Sequence, residues 1–325
     1  MSAPEPVRLL VIGGGPAGYT ASLYAARFGL DPVCIEGYDA GGQISRSFLV
    51  ENYPGIPDGT SGADLAARVR EQASGFGARL VTDDVTAVDL GQRPFLVSTY
   101  DTTFAADSLV IATGSSPRPL GLPGEQELVG RGIAYCAICD GAFFAGSRVV
   151  VVGGGNAALG EALAMQRVAA EVTVIHRRTT FRADASVEAA ARASGITMVT
   201  PAVVEELVQS EAGLAGVRLR DVSGGGTSYL ATDGLFVAIG HVPASEPFAP
   251  WLALDRHGCI LTAAGSTGTS LPGVFAAGDV ADARYRQAVT AAASGCMAAI
   301  DAERWLVTGD WTGPQLEPNL AVAAR

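Results

Sequence analysis

The chain opens with a nearly continuous apolar run over residues 7 to 12, the pattern of a strand buried on both faces of a parallel sheet. Apolar residues then recur at helical spacing from Tyr19 to Phe28, and a second short apolar run occupies Pro32 to Ile35. Strand, helix and strand in this order predict a βαβ unit. The same order returns later, with a strand at Arg148 to Val152, a helix at Leu159 to Arg167 and a strand at Glu171 to Ile175. This internal duplication predicts an α/β protein with two Rossmann-like nucleotide-binding domains.

The segments between and after these units are less regular. Residues 39 to 55 are too rich in turn formers for a helix and read as a loop, whereas 63 to 78 carry a helical pattern. Alternation over 79 to 110, clearest from Pro94 to Thr99, predicts an antiparallel meander. A strand from Ser108 to Ala112 runs into Thr113-Gly114, and the three prolines of Ser115 to Pro123 mark a linker and a domain boundary. Further short strands are expected over 196 to 239, and a second linker over Pro243 to Pro250. A strand then enters the turn Gly278-Asp279, an Ala-rich helical pattern runs from Arg286 to Leu306, and Thr308 to Arg325 reads as a loose tail.

Composition narrows the function. At 325 residues the chain exceeds one ordinary core, so two domains of about 150 residues are expected. A 48% hydrophobic content with 41 glycines suits tightly turned α/β units rather than disorder. The net charge of −11 argues against nucleic acid and anionic membrane surfaces as partners. All 22 basic residues are Arg, which removes a Schiff-base lysine and a P-loop lysine from consideration. The first residues lack a basic stretch followed by an apolar core, and no apolar run reaches the roughly 18 residues of a membrane span. These features predict a cytosolic protein. Five cysteines are an odd count for a secreted framework, and a close pair in a reducing compartment is more often catalytic or metal-binding.

The candidate chemistry sits at the ends of the strands. Gly13, Gly15 and Gly18, with Pro16 and Ala17 between them, form G-x-G-x-x-G between strand and helix. Such glycines permit a tight turn and close approach of a pyrophosphate, whose charge the helix N-terminus stabilises. Glu36, ending the next strand, is placed to bind a ribose hydroxyl pair. The second unit repeats the turn as Gly153, Gly155, Asn156, Ala157 and Ala158, but ends its second strand on His176-Arg177-Arg178, with Arg182 a turn later. Arginines at that point suit a 2′-phosphate, so the second nucleotide is expected to be NADP(H). His176 by itself argues for no catalytic role. Between the two turns stands Cys136-Ala137-Ile138-Cys139-Asp140. C-x-x-C is also half of a zinc site, yet no second pair or His cluster accompanies it, so no metal is expected. Cys34, Cys259 and Cys296 stand alone and read as small buried hydrophobes.

Taken in order, these motifs resemble the low-molecular-weight thioredoxin reductases, flavoprotein disulfide reductases. The resemblance runs from about Val7 to Leu306. It also takes in Gly41-Gly42-Gln43, Glu51-Asn52-Tyr53-Pro54-Gly55, Ala112-Thr113-Gly114, Gly278-Asp279 and Arg286-Gln287-Ala288. It implies FAD in the first site, held by those segments with Asn52 among them, and NADPH in the second. It implies an FAD domain made of residues 1 to 116 and 247 to 325, with the NADPH domain, 117 to 246, inserted between the halves. A homodimer, a swivel between the domains and a thioredoxin or thioredoxin-like partner are implied as well. Electrons would pass from NADPH through FAD to a Cys136–Cys139 disulfide, with Cys139 facing the flavin, Cys136 attacking the partner and Asp140 carrying the proton. Three positions depart from the family pattern. Gly160 replaces a usual Glu, Ile138 a common Thr, and Ala142-Phe143-Phe144 stand where an aromatic pair begins two residues after the Asp. Two other readings stay open on the sequence: a flavin dithiol oxidase that uses oxygen, and a redox-sensing protein that binds both nucleotides with little turnover.

Overall fold

The computed structural model describes residues 3–311, so most of the expected tail lies outside the described residues. Two compact units divide the chain, residues 1–116 with 242–325 and residues 117–241. In chain order the first unit begins with β1 (Glu5–Ile12), α1 (Pro16–Arg27), β2 (Val33–Ile35), α2 (Gly62–Gly75), β3 (Arg79–Val81), β4 (Val85–Asp89), β5 (Phe95–Thr99), β6 (Thr103–Ile111) and β7 (Ser115–Pro117). The second unit holds β8 (Ile133–Ala134), α3 (Ala137–Asp140), β9 (Arg148–Val152), α4 (Asn156–Met165) and β10 (Glu171–Ile175). It continues with α5 (Ala185–Ala193), β11 (Thr197–Val199), β12 (Ala202–Ser210), β13 (Gly213–Asp221), β14 (Thr227–Ala231) and β15 (Gly234–Val237). The chain then returns through β16 (His241–Pro243), β17 (Val274–Ala276) and α6 (Ala288–Thr308).

The first unit is built on a sheet of order β3-β2-β1-β6-β5-β4, with β17 added on β6. Its central strands are apolar at nearly every position because both faces are covered. Leu9 and Val11 face the cluster that contains α1 and α6, whereas Leu10 and Ile12 face the opposite cluster with Phe248 and Leu252. The second unit repeats the arrangement in a sheet of order β11-β10-β9-β15-β8. There Val149 and Val151 pack with α4, and Val150 and Val152 pack with Leu207 and Val217 from the three-stranded sheet β12-β13-β14.

Two local expectations are corrected. The meander starts at β4, because β3 instead pairs in parallel with β2 at the far edge. The first proline-rich linker is not wholly irregular, since β7 within it pairs with β16, which ends where the second linker begins. Ser61 caps α2 by accepting the Asp64 N–H at 3.0 Å, and α6 stops at Gly309, whose left-handed φ of 71° suits a helix terminus. Beyond it Trp311 packs its ring on Phe275 and Trp305, so the start of the supposed tail is anchored. Among the described residues no helix is long and apolar enough to cross a membrane.

Candidate active site

In the first unit the turn after β1 places Gly13 at φ 118°, and a Cβ there would lie 2.2 Å from the Ala112 carbonyl oxygen. Only glycine fits this crossing of β1 over the end of β6. Pro16 and Ala17 begin α1 and Gly18 lies in its first turn. That first turn has no acidic residue, and Gly15 at the N-cap provides no side-chain cap. Its N–H groups are therefore available to an anion. The Gly41 N–H donates to the Gly14 carbonyl at 2.8 Å, which draws the loop of Gly41, Gly42 and Gln43 across this turn. Gln43 donates from Nε2 to Ser116 at 3.3 Å. Thr113 and Gly114 bond Ala244, while Asp279 lies 3.5 Å from Ser115 Oγ, so the ends of β6 and β17 meet beside the turn. Burial raises the Asp279 carboxyl to about 6. The Gly278 N–H donates to Ser294 of α6, and Gln287 and Thr290 form a reciprocal cap ahead of Ala288. Arg286, at φ 49°, donates its backbone N–H to Asp282. Asn52 lies exposed on the loop before α2.

Glu36 is placed differently from expectation. It is 4% exposed, and its carboxylate accepts from Tyr19 Oη at 2.9 Å, Thr82 Oγ1 at 2.6 Å and Arg70 Nε and Nη2 at 2.8 and 2.7 Å. All four acceptor positions are occupied. A ribose diol would reach this acid only by displacing one of those donors. Burial opposes the Glu36 charge, but these bonds outweigh it and hold the carboxyl below the usual range. Arg70, Tyr19 and Thr82 gave no sign in the sequence of meeting Glu36, because they lie 34, 17 and 46 positions from it.

The second unit repeats the turn with more open space. Nothing lies within 4 Å of a Cβ built on Gly155, and α4 likewise starts without a side-chain cap or a first-turn acid. Ala158 packs under Gly153, while Ala157 is exposed. Arg177, Arg178 and Arg182 are exposed, and no ion pair ties any of them among the described residues. The Arg182 N–H donates to the Gly154 carbonyl at 2.7 Å, which keeps that arginine beside the turn. The donor set fits a phosphorylated nucleotide.

Two of the expected contacts are structural. His176 is 5% exposed, stacks on Phe181 at 5.1 Å and lies directly beneath Gly154. Burial first, then the three arginines, push its pKa down and keep the ring neutral. Its ring supports the glycine turn from below. The Asn156 amide is tied to Asp184 at the start of α5 by bonds of 2.9 and 2.8 Å, which leaves its backbone, at the first position of α4, as its contribution to the turn.

Cys136 and Cys139 form a disulfide with a Cα–Cα distance of 5.3 Å. Cys136 caps α3, and its Sγ accepts the Cys139 N–H at 3.1 Å. Cys139 and Ile138 are exposed, while Ala137 is buried against α4. Desolvation raises Asp140 to about 6. Phe144 packs edge-on against Phe236 at 5.1 Å and covers Gly234, whereas Phe143 is 50% exposed. The ring available to a partner is therefore Phe143. Gly160 is exposed, with nothing within 4 Å of a Cβ built there, so its departure from the family pattern leaves packing untouched. Cys34 and Cys259 are buried as expected, whereas Cys296 is only partly so. Among the described residues no cluster of metal-ligating side chains exists.

Comparison with known proteins agrees with this layout. The family model for pyridine nucleotide-disulphide oxidoreductases matches residues 7–295. A thioredoxin reductase of Coxiella burnetii is 44% identical over 94% of this chain and 98% of its own length. The chain belongs to the thioredoxin reductase family. A bifunctional thioredoxin reductase/thioredoxin of Mycobacterium leprae is 47% identical over 94% of this chain and 67% of its own. Among solved structures, a thioredoxin reductase from Giardia duodenalis superposes with a TM-score of 0.88 at 38% identity, covering 93% of this chain and 99% of that one. Family membership carries the two cofactors with it, FAD and NADPH.

Proposed function

We propose that this protein is an NADPH-dependent flavoprotein reductase whose Cys136–Cys139 pair reduces the disulfide of a thioredoxin-like protein. The observation that carries the reading is a C-x-x-C disulfide with a desolvated acid beside it, on the same unit as a glycine turn followed by three exposed arginines with no ion pair among the described residues. When bound, the two nucleotides supply an electron pair, NADPH as hydride donor and FAD as two-electron carrier. The first-unit turn, with Gly41 to Gln43, Ala112 to Gly114, Gly278, Asp279 and Arg286 to Ala288, would hold FAD. The second-unit turn with Arg177, Arg178 and Arg182 would hold NADPH by its phosphates.

The remaining chemistry belongs to the chain. Opening the disulfide places the electron pair on the two sulfurs. The Cys139 N–H that donates to Cys136 Sγ strengthens once that sulfur is a thiolate, which suits Cys136 as the attacking thiol. Cys139 is then the sulfur that receives electrons and resolves the mixed disulfide. Asp140, next in sequence and kept partly protonated by burial, delivers the proton that neutralises one sulfur. Ile138, 76% exposed, and Phe143 offer an apolar rim beside the pair that suits a protein partner. The thioredoxin joined to the Mycobacterium leprae relative supports that choice of partner. A homodimer is supported by α6, whose exposed face carries Val289, Met297, Ile300 and Val307.

Anaerobic titration with NADPH tests the reading. The flavin absorbance should bleach fully with about two equivalents, because FAD and the disulfide each take one electron pair, and recover on addition of an oxidised thioredoxin from the same organism. Absence of bleaching, or recovery only with oxygen, would reject it.

A further inference from the structure

The loop from His176 to Asp184, which carries Arg177, Arg178 and Arg182, is fastened to the glycine turn at three points. At its start the His176 ring lies beneath Gly154, and its Nε2 stands 3.2 Å from the Thr180 carbonyl oxygen, which closes the loop on itself. Further on, the Arg182 N–H donates to the Gly154 carbonyl at 2.7 Å. At its end the fastening is reciprocal: Asn156 Nδ2 donates to Asp184 Oδ2 at 2.9 Å, and the Asp184 N–H donates to Asn156 Oδ1 at 2.8 Å. Asn156 is the first residue of α4. The pair therefore joins the arginine loop to a helix start whose N–H groups are available to an anion.

The helices it touches do not require this pair. Asp184 is the N-cap of α5, where an aspartate ordinarily accepts the N–H of the second or third helical residue. Here its carboxylate makes no cap bond, and Val187, the third residue, donates to the Asp184 main-chain carbonyl. The carboxylate is turned away from the helix it begins and toward α4. The loop, by contrast, needs a tether. Three guanidinium groups within six residues repel one another, and none has an ion pair among the described residues. Glu188, the next acid along the chain, is engaged by Arg192. Donors already held in place bind a phosphate without the entropy cost of ordering them on binding.

We propose that Asn156 and Asp184 form a clasp that sets selectivity for the 2′-phosphate of the nicotinamide cofactor. Both are positioning residues, acting through the arginine loop. This rests on Arg177, Arg178 and Arg182 holding that phosphate. With the clasp closed, the arginines are gathered beside the start of α4 before the cofactor arrives. With it open, the cofactor has to order them, and only a cofactor bearing the 2′-phosphate uses them. The loss therefore falls on NADP(H) and spares NAD(H).

Calorimetric titration of the oxidised holoenzyme with NADP+ and with 2′,5′-ADP, alongside KM for NADPH and NADH, tests the proposal. Asp184→Ala should weaken NADP+ and 2′,5′-ADP by about 3- to 10-fold and leave KM for NADH within about twofold. The sign is diagnostic, because removing a negative charge beside a phosphate site would by itself tighten binding. Asp184→Asn keeps both bonds and should bind NADP+ at least as tightly as wild type. Asn156→Ala should weaken NADP+ as well, and adding Asp184→Ala to it should cost nothing more, since the two changes remove the same contact. Unchanged or tighter NADP+ binding in Asp184→Ala would overturn the clasp, as would an equal loss for NADH or a loss in Asp184→Asn matching that of the alanine. Arg177→Ala with Arg178→Ala is the control: unweakened NADP+ binding there would overturn the arginine site itself and the clasp with it. Where that control shows its loss, a failure in Asp184→Ala falls on the clasp alone.

Discussion

Arg177, Arg178 and Arg182 show how little a side chain needs to act at a distance from the chemistry. Each is exposed and without an ion pair among the described residues, and together they surround a buried His176 that fixes the turn they flank. A charge-assisted hydrogen bond to phosphate contributes about 1.5–3 kcal/mol, so losing one weakens binding by about tenfold or more. Arg177→Ala combined with Arg178→Ala should therefore raise KM for NADPH by about 100-fold and leave KM for NADH within about threefold. Equal losses for both cofactors in steady-state kinetics would rule out 2′-phosphate recognition. The cluster was legible because the end of the second strand of a βαβ unit is a fixed place in the chain. The status of Glu36 was not legible, since the residues that occupy its oxygens lie 17, 34 and 46 positions away. The same limit applied to Phe143 and Phe144, which the sequence could not tell apart until the second was found against Phe236.

Helix α6 illustrates what an element does that its residues do not. Small residues bring it against α1: a Cβ on Gly295 would lie 2.1 Å from the Ala17 carbonyl oxygen, and Ala298, Ala299 and Ala302 are fully buried. Its other face is left apolar and exposed over Val289, Met297, Ile300 and Val307. A single helix with both faces apolar is normally covered on both. Met297→Arg with Ile300→Arg should convert a dimer to a monomer in sedimentation analysis while the protein stays folded and yellow. A wild-type protein already monomeric at micromolar concentration would remove the second copy from the argument. The Ala-rich pattern predicted this helix to within two residues at each end, because period and burial agreed. It could not say which face would remain bare.

At the scale of the whole molecule, stability should depend on pH in a way set by buried acids. Asp140 and Asp279 are raised to about 6 and Glu161 to about 8, so the folded state binds their protons more tightly than the unfolded chain does. Their contribution is complete below the unfolded values near 4 and is lost as pH rises to about 6 for the aspartates and about 8 for Glu161. Glu36 and Asp233 are shifted the other way by their arginines, so their stabilisation disappears as pH falls below about 4. Stability should therefore peak in mildly acidic solution. Calorimetry should show Tm falling between pH 6 and 8, and Glu161→Gln should flatten that part of the curve. A wild-type Tm that holds level over this range would contradict the assignment of Glu161 as a buried acid.

The order of strands, helices and glycine turns, the close Cys pair and the cluster of arginines after the second βαβ unit were all determined by the sequence alone. Those features are local: a period, a turn that only glycine makes, two thiols three residues apart. The tertiary structure decided which of the chemically capable groups are free to act. It closed Glu36 with donors from distant elements, put His176 beneath a turn, chose Phe143 over Phe144, and left Glu161 Oε2 buried without a hydrogen-bond partner. Burial and proton affinity depend on neighbours through space, and no spacing along the chain records them.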